Sequence, residues 1–151
     1  MKRISILVGV LILISLWGWM AKREPSTPSA TKAAVVSYTT VPMSYMDAAS
    51  ALAEDDFAKA KASLTRLAEE SRGDLQARAR HAAKAADLGA MREAFKTLSE
   101  NAAIFMSYPA DYAVVSCSMY KGGSKWIQKR DAPIANPYLG KSGAACGSFV
   151  D

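Results

Sequence analysis

From Pro42 to Met106 apolar side chains return every three or four positions, the period of amphipathic helices. Ser44 followed by Asp47 resembles a helix-start box, after which Met46, Ala49, Leu52 and Ala53 recur at helical spacing. Asp55-Asp56 interrupts the pattern, and Asp56 is placed to cap a second helix. That helix carries Phe57, Ala60, Leu64, Leu67 and Ala68 on one face, with Lys59, Lys61, Arg66, Glu69 and Glu70 mostly elsewhere. Arg72-Gly73-Asp74 is a break. Leu75, Ala79, Ala82, Ala83 and Ala86 mark a third helix, which Asp87-Leu88-Gly89 ends or kinks. Met91, Phe95, Leu98, Ala102, Phe105 and Met106 mark a fourth. Tyr108-Pro109 closes the series, because proline disfavours helix in the residue before it.

Beyond Pro109 the period shortens to two. Tyr112 to Tyr120 alternates β-forming residues and predicts a strand. Gly122-Gly123 predicts a turn, Lys125 to Gln128 a second short strand, and Asn136-Pro137-Tyr138-Leu139-Gly140 a tight turn leading to Cys146-Gly147. The expected fold is mainly α: an antiparallel bundle of about four short helices with a small strand-containing C-terminal cap.

Ahead of this body, Ile4 to Ala21 is an unbroken apolar run of 18 residues, flanked by Lys2-Arg3 and Lys22-Arg23. A membrane helix needs about 20 residues, and Trp17 and Trp19 suit the interfacial belt at its exit. A cleaved signal peptide is the alternative, but its apolar core is usually shorter and ends at small residues, which are not well placed here. No cysteine stands near the exit for lipid attachment. Either way the remainder is exported. The organisation expected is an N-terminal membrane anchor or signal segment over 1–23, a flexible linker over 24–43 rich in Pro, Ser, Thr and Ala, and an exported helical domain over 44–151.

The chain has 151 residues and a formal charge of +5, enough for one domain with an appended segment. Lys2, Arg3, Lys22 and Arg23 against Glu24 supply +3 of that charge, so the exported part is near neutral and offers no footprint for nucleic acid. A single histidine, His81, excludes a multi-histidine zinc site within one chain. It also leaves no nucleophile–base pair with an orienting third group, so no catalytic residue is assigned and no enzyme chemistry is expected. His81 reads as structural, Glu54-Asp55-Asp56 and Glu69-Glu70 as a helix start and a solvated face, and the Arg72-Gly73-Asp74 tripeptide as a turn.

Soft donors concentrate at the C-terminal end. Cys117 and Met119, two apart in an expected strand, would share one face, and Cys146 follows 29 positions after Cys117. Thiolate and thioether ligands favour Cu(I) or Ag(I) over hard cations. Two cysteines in an exported protein also commonly form a disulfide, and the Cys117–Cys146 pairing would close a loop of about 30 residues. Both readings stay open, since a reducible pair binds metal only when reduced. A thiol–disulfide oxidoreductase fits less well, because reactive pairs usually stand as Cys-x-x-Cys at a helix start.

These residues carry a family resemblance. Cys117-Ser118-Met119, Gly122-Gly123, Trp126-Ile127 and Asn136-Pro137-Tyr138-Leu139-Gly140 through Cys146-Gly147 resemble the bacterial family called domain of unknown function 3347. The helical stretches Ala51 to Phe57 and Arg92 to Ser99 agree with it, so the resemblance covers about Tyr45 to Val150. It implies an envelope protein, found alone or fused to periplasmic adaptor subunits of CusB-type heavy-metal efflux pumps. Cys117, Met119 and Cys146 match the positions taken to hold a heavy metal such as copper. Ser118 stands where the family commonly has Pro, and Gly143 where a second Met is usual, which leaves three soft side chains, enough for trigonal Cu(I). The expected function is therefore soft-metal binding in the envelope, for sequestration or hand-over to an efflux adaptor. The expected location is the bacterial inner membrane as a single-pass protein with its C-terminal domain in the periplasm, or the periplasm itself after signal cleavage. Tyr120, Trp126 and Tyr138 would wall the site or form the cap's core. The alternative function is a disulfide-stapled envelope interaction module that binds no metal.

Overall fold

Proline at position 42 has φ −63° and leads directly into the first helix, where its missing N–H costs nothing. The computed structural model describes residues 42–150. The segment expected to anchor or target the chain, and all of the linker before Pro42, lie outside the described residues. Among the described residues, no helix is long and apolar enough to cross a membrane. Helix α1 spans Met43–Ala53, α2 Phe57–Glu70, α3 Gly73–Ala83 and α4 Leu88–Phe105. Strands β1 (Tyr112–Cys117), β2 (Ser124–Lys129) and β3 (Ser148–Val150) follow, with one 3₁₀ turn at Gly140–Gly143 between β2 and β3. The described residues are thus mainly helical, with each helix packed on the next in sequence and a small antiparallel sheet in the order β2-β1-β3.

Three boundaries differ from the sequence expectation, each for a local reason. The Ser44–Asp47 box does not form, because α1 already begins at Met43 and Ser44 lies inside its first turn. The Ser44 hydroxyl donates instead to Glu70 Oε2 at 2.6 Å. Asp87 does not end α3, which stops at Ala83; it opens α4, its carboxylate accepting from the Ala90 amide at 2.8 Å. A carboxylate is favoured at the positive N-terminal end of a helix and disfavoured at the other. Strand β1 stops at Cys117 and does not run on to Tyr120. Gly122 and Gly123 both take positive φ in the turn that follows, as expected. The cap of α2 also agrees, with Asp56 accepting from the Lys59 amide at 2.9 Å.

Leu52, Ala60, Leu64, Leu67, Ala79, Ala82, Met91, Phe95 and Leu98, all at the expected spacing, are fully buried in the helical core, joined by Ala48, while Met46 is only partly buried. Alanine-lined faces let helix axes approach closely, so the larger Phe95 and Tyr45 fill the space toward the sheet, stacked with centroids 5.4 Å apart. The outer edge of β2 would otherwise present unpaired backbone groups to the helices. Helix hydroxyls close it. The Tyr45 OH accepts from the Ile127 amide at 3.1 Å, while the Ser99 hydroxyl and the Tyr138 OH both donate to the Lys125 carbonyl, at 2.9 and 2.7 Å. Since the Ser99 proton is committed to Lys125, the 2.5 Å contact between Tyr45 and Ser99 is donated by the tyrosine.

Burial makes these phenols hard to ionise. It pushes Tyr45 up to about 12, and it also raises Tyr138 well above its ordinary value. Because the folded value exceeds the unfolded one, this contribution is complete below about pH 10 and is lost as the pH climbs through about 12. For Tyr45 alone the loss amounts to about 3 kcal/mol by the linkage relation. Alkaline denaturation is expected to be cooperative, with the tyrosinate absorbance of these two buried phenols appearing together with unfolding. Ionisation of every tyrosine at ordinary pH, before the helical circular dichroism changes, would contradict the buried network.

Candidate metal centre

Period-two alternation in β1 turns Ala113, Val115 and Cys117 to the buried side. In register, Val115 stands opposite Trp126 of β2 and Phe149 of β3, and Cys117 opposite Ser124. Ser116 pairs with Ser148, so the chain entering β3 passes beside the end of β1. Cys146 lies two residues before that pairing. Its sulfur is joined to Cys117 in a disulfide, with the Cα atoms 6.0 Å apart, inside the range such bonds require. Cys117 is 2% exposed, whereas Cys146 is partly exposed.

Gly147 makes this approach possible. Its φ is +150°, and a Cβ there would lie 2.8 Å from both the Trp126 ring and the Val115 side chain, closer than carbon atoms tolerate. The segment before it is tied by Asn136, which is completely buried. The Asn136 side-chain oxygen accepts from the Tyr138 and Leu139 amides at 2.8 and 3.1 Å, forming the turn. Its side-chain amide donates to the Cys146 carbonyl at 2.8 Å. Its backbone amide donates to the Ala144 carbonyl at 2.9 Å, and its carbonyl accepts from Gly140 at 3.2 Å.

Tyr138, delivered by this turn, is the hub of the aromatic cluster. It stacks on Tyr120 at 5.1 Å, meets Trp126 edge-on at 5.9 Å, and contacts Phe95 at 6.0 Å. Tyr120, Trp126 and Tyr138, expected to wall the site or form the cap's core, pack on one another, with Trp126 and Tyr138 in the core and Tyr120 half-buried.

Met119 is placed differently. Because β1 ends at Cys117, the alternation that would align Met119 with Cys117 stops short, and Met119 is 74% exposed. Cys117 and Cys146 are thus brought together by the fold, while the thioether stands in solvent two residues along. In the reduced state the donors would be two adjacent thiols, one on a buried and one on a partly exposed residue, with an exposed thioether two positions along the chain, a soft set by type. His81 is exposed on α3 and lines an open groove of about 750 Å³ with Asp74 and Arg78 of α3 and Glu93 and Thr97 of α4. Among the described residues, no three His, Cys, Asp or Glu side chains converge as a metal site.

Two contributors were not legible as functional. Asp55, read as part of a solvated helix start, has φ 59° and pairs with Arg92. Its other oxygen accepts from the Lys141 amide at 3.1 Å. Arg92 also donates to the Leu52 and Pro137 carbonyls, at 2.8 and 3.0 Å, so one guanidinium ties α1 and α4 to the loop that carries Cys146. An isolated Asp-Asp pair and an arginine in an amphipathic helix give no signal of this in sequence. Comparison with family models, curated proteins and solved structures yields no match to the chain.

Proposed function

We propose that this chain is a membrane-anchored envelope protein whose exported domain binds a soft metal ion, Cu(I) or Ag(I), through the reduced Cys117 and Cys146 with Met119 as an outer ligand. The observation that carries the reading is the meeting of Cys117 and Cys146, 29 positions apart in sequence, with a solvent-exposed methionine two positions after Cys117. A soft, weakly held outer ligand is what an entry and exit point for metal requires, and the exposure of Met119 leaves its thioether available for that role. The anchor over 1–23 would keep the domain at the inner membrane, where the ion could be sequestered or passed by thiolate exchange to an efflux adaptor. The reading is one of binding and involves no catalysis.

The disulfide supports a second reading, a stapled interaction module in which Cys117 and Cys146 serve only the fold. Anaerobic titration of the reduced full chain with Cu(I), against a competing chelator, separates the two. Metal binding predicts one equivalent per chain, at least about a hundredfold weaker in Cys117→Ser and in Cys146→Ser, as expected when an ion loses a thiolate ligand. Met119→Ala should weaken binding by about tenfold or less. Chelator-level binding by the reduced wild-type chain would leave the stapled module as the function.

A further inference from the structure

The structure assigns Asn136 the role of positioning residue for the thiol pair: it holds Cys146 against Cys117 through bonds independent of sulfur, so the pair stays assembled as a dithiol after reduction. This rests on the proposed function only in taking the reduced pair as the working form. The turn itself needs only the Asn136 side-chain oxygen, which an aspartate or serine would supply equally well. The side-chain amide has no part in the turn. It is spent on the Cys146 carbonyl, at 2.8 Å. Among side chains of this length, asparagine alone carries donor and acceptor on separate atoms that can face in two directions, and a wholly buried amide is tolerated only when both ends are satisfied.

The remaining closures also bypass the sulfurs. The Asn136 amide donates to Ala144, and the Cys146 amide to Gly143 at 3.0 Å. Beyond Gly147, the pairing of Ser116 with Ser148 fixes the chain on the far side. Cys146 is therefore held from both directions, by Asn136 before it and by the β1–β3 pairing after it.

The test uses the full chain equilibrated with reduced and oxidised glutathione. Two glutathione thiols give two electrons and two protons to the S–S bond, yielding the Cys117 and Cys146 thiols and one glutathione disulfide. Cys146 is the more exposed residue of the pair and the expected point of entry. Asn136→Ser, which keeps an uncharged turn acceptor and lacks the amide, is measured beside Asn136→Asp to separate loss of the donor from the effect of a buried charge, and should show the same direction of shift. Asn136→Asp keeps the turn acceptor and sets a carboxylate oxygen in place of the donor to Cys146. It is expected to lower the constant for disulfide closure by about tenfold, about 30 mV for a two-electron couple. Leu64→Ala, which opens a cavity in the helical core and lowers stability, should leave that constant within about twofold. A variant Asn136→Asp that stays folded with an unchanged constant, or an equal shift in Leu64→Ala, would overturn the assignment.

A second measurement needs no variant. Amide exchange at Asn136 and Cys146 in the wild-type chain is expected to remain slow after reduction, and loss of that protection would equally overturn the assignment. Neither readout involves copper. Failure of Cu(I) to bind would defeat the proposed function while these results stood, and the converse holds as well.

Discussion

Replacing Arg92 by alanine is expected to lower stability by about 3 kcal/mol, and the melting temperature by about 12–20 °C for a domain of this size. The Arg92 side chain is only 14% exposed and serves three acceptors from separate parts of the chain: the Leu52 carbonyl, the Pro137 carbonyl and the Asp55 carboxylate. Removing it takes the side-chain donor from the partly buried Pro137 carbonyl and leaves the Leu52 carbonyl the long backbone bond from the Asp55 amide at 3.3 Å. It also strips the Asp55 carboxylate of its cation, and losses of this kind exceed what an ordinary hydrogen bond contributes. Lysine should recover less than half of the loss, because a single ammonium cannot reproduce the planar fork that spans these acceptors. Gly140 belongs to the same junction. It has φ +59°, and a Cβ there would overlap both the Asp55 carboxylate and the Arg92 guanidinium. Hydrogen bonding from Arg92 and from the Lys141 amide holds the Asp55 carboxyl below the usual carboxylate range. With a depressed folded value, that contribution is present above the ordinary carboxylate pKa and is lost as the pH falls below it. Urea unfolding of Arg92→Ala and Arg92→Lys checks the account; a loss under about 1 kcal/mol in Arg92→Ala would mean the junction is a surface contact.

Reduction of the Cys117–Cys146 disulfide is expected to lower stability by about 3–4 kcal/mol, the chain-entropy value for closing a loop of this length. That effect operates on the unfolded chain, so it is compatible with a reduced domain that keeps its native fold. Reduction should therefore shift the urea midpoint strongly and raise the denaturant dependence somewhat, as the unfolded chain loses its cross-link, while leaving the helical signal and the near-ultraviolet signature of Trp126 and Tyr138 almost unchanged. If reduction abolished that aromatic signature, the cap would depend on the sulfur link and the case for a preassembled dithiol would fall.

The helices and most of the sheet could be read from periodicity because each element buries one face, and burial is what periodicity encodes. Met91, Phe95, Leu98 and Ala102 are all buried as their spacing predicts. The misplaced boundary at Asp87 arose because a polar residue between two apolar runs fits an end or a beginning equally well, and only the bond to Ala90 decides. At the candidate site, Cys117, Cys146 and the aromatic trio were legible from residue type. The position of Met119 was not, because it turns on where β1 stops, and that is set by the turn at Gly122-Gly123. The short strand β3 escaped notice because three residues, all exposed, carry no alternation. The ties that Asn136, Arg92 and Asp55 make to the cysteine-bearing loop span ten to 86 positions and leave no local pattern.

The most direct measurement of the soft-metal account is a paired Cu(I) titration of the same full-length chain, once with the cysteines oxidised and once after anaerobic reduction, against one competing chelator. The account predicts one tightly bound equivalent in the reduced chain and none in the oxidised chain, because the disulfide removes both thiolates and a lone Met119 thioether holds the ion too weakly to compete with the chelator. Equal binding in both states would place the metal away from Cys117 and Cys146. Binding in neither would contradict the account outright.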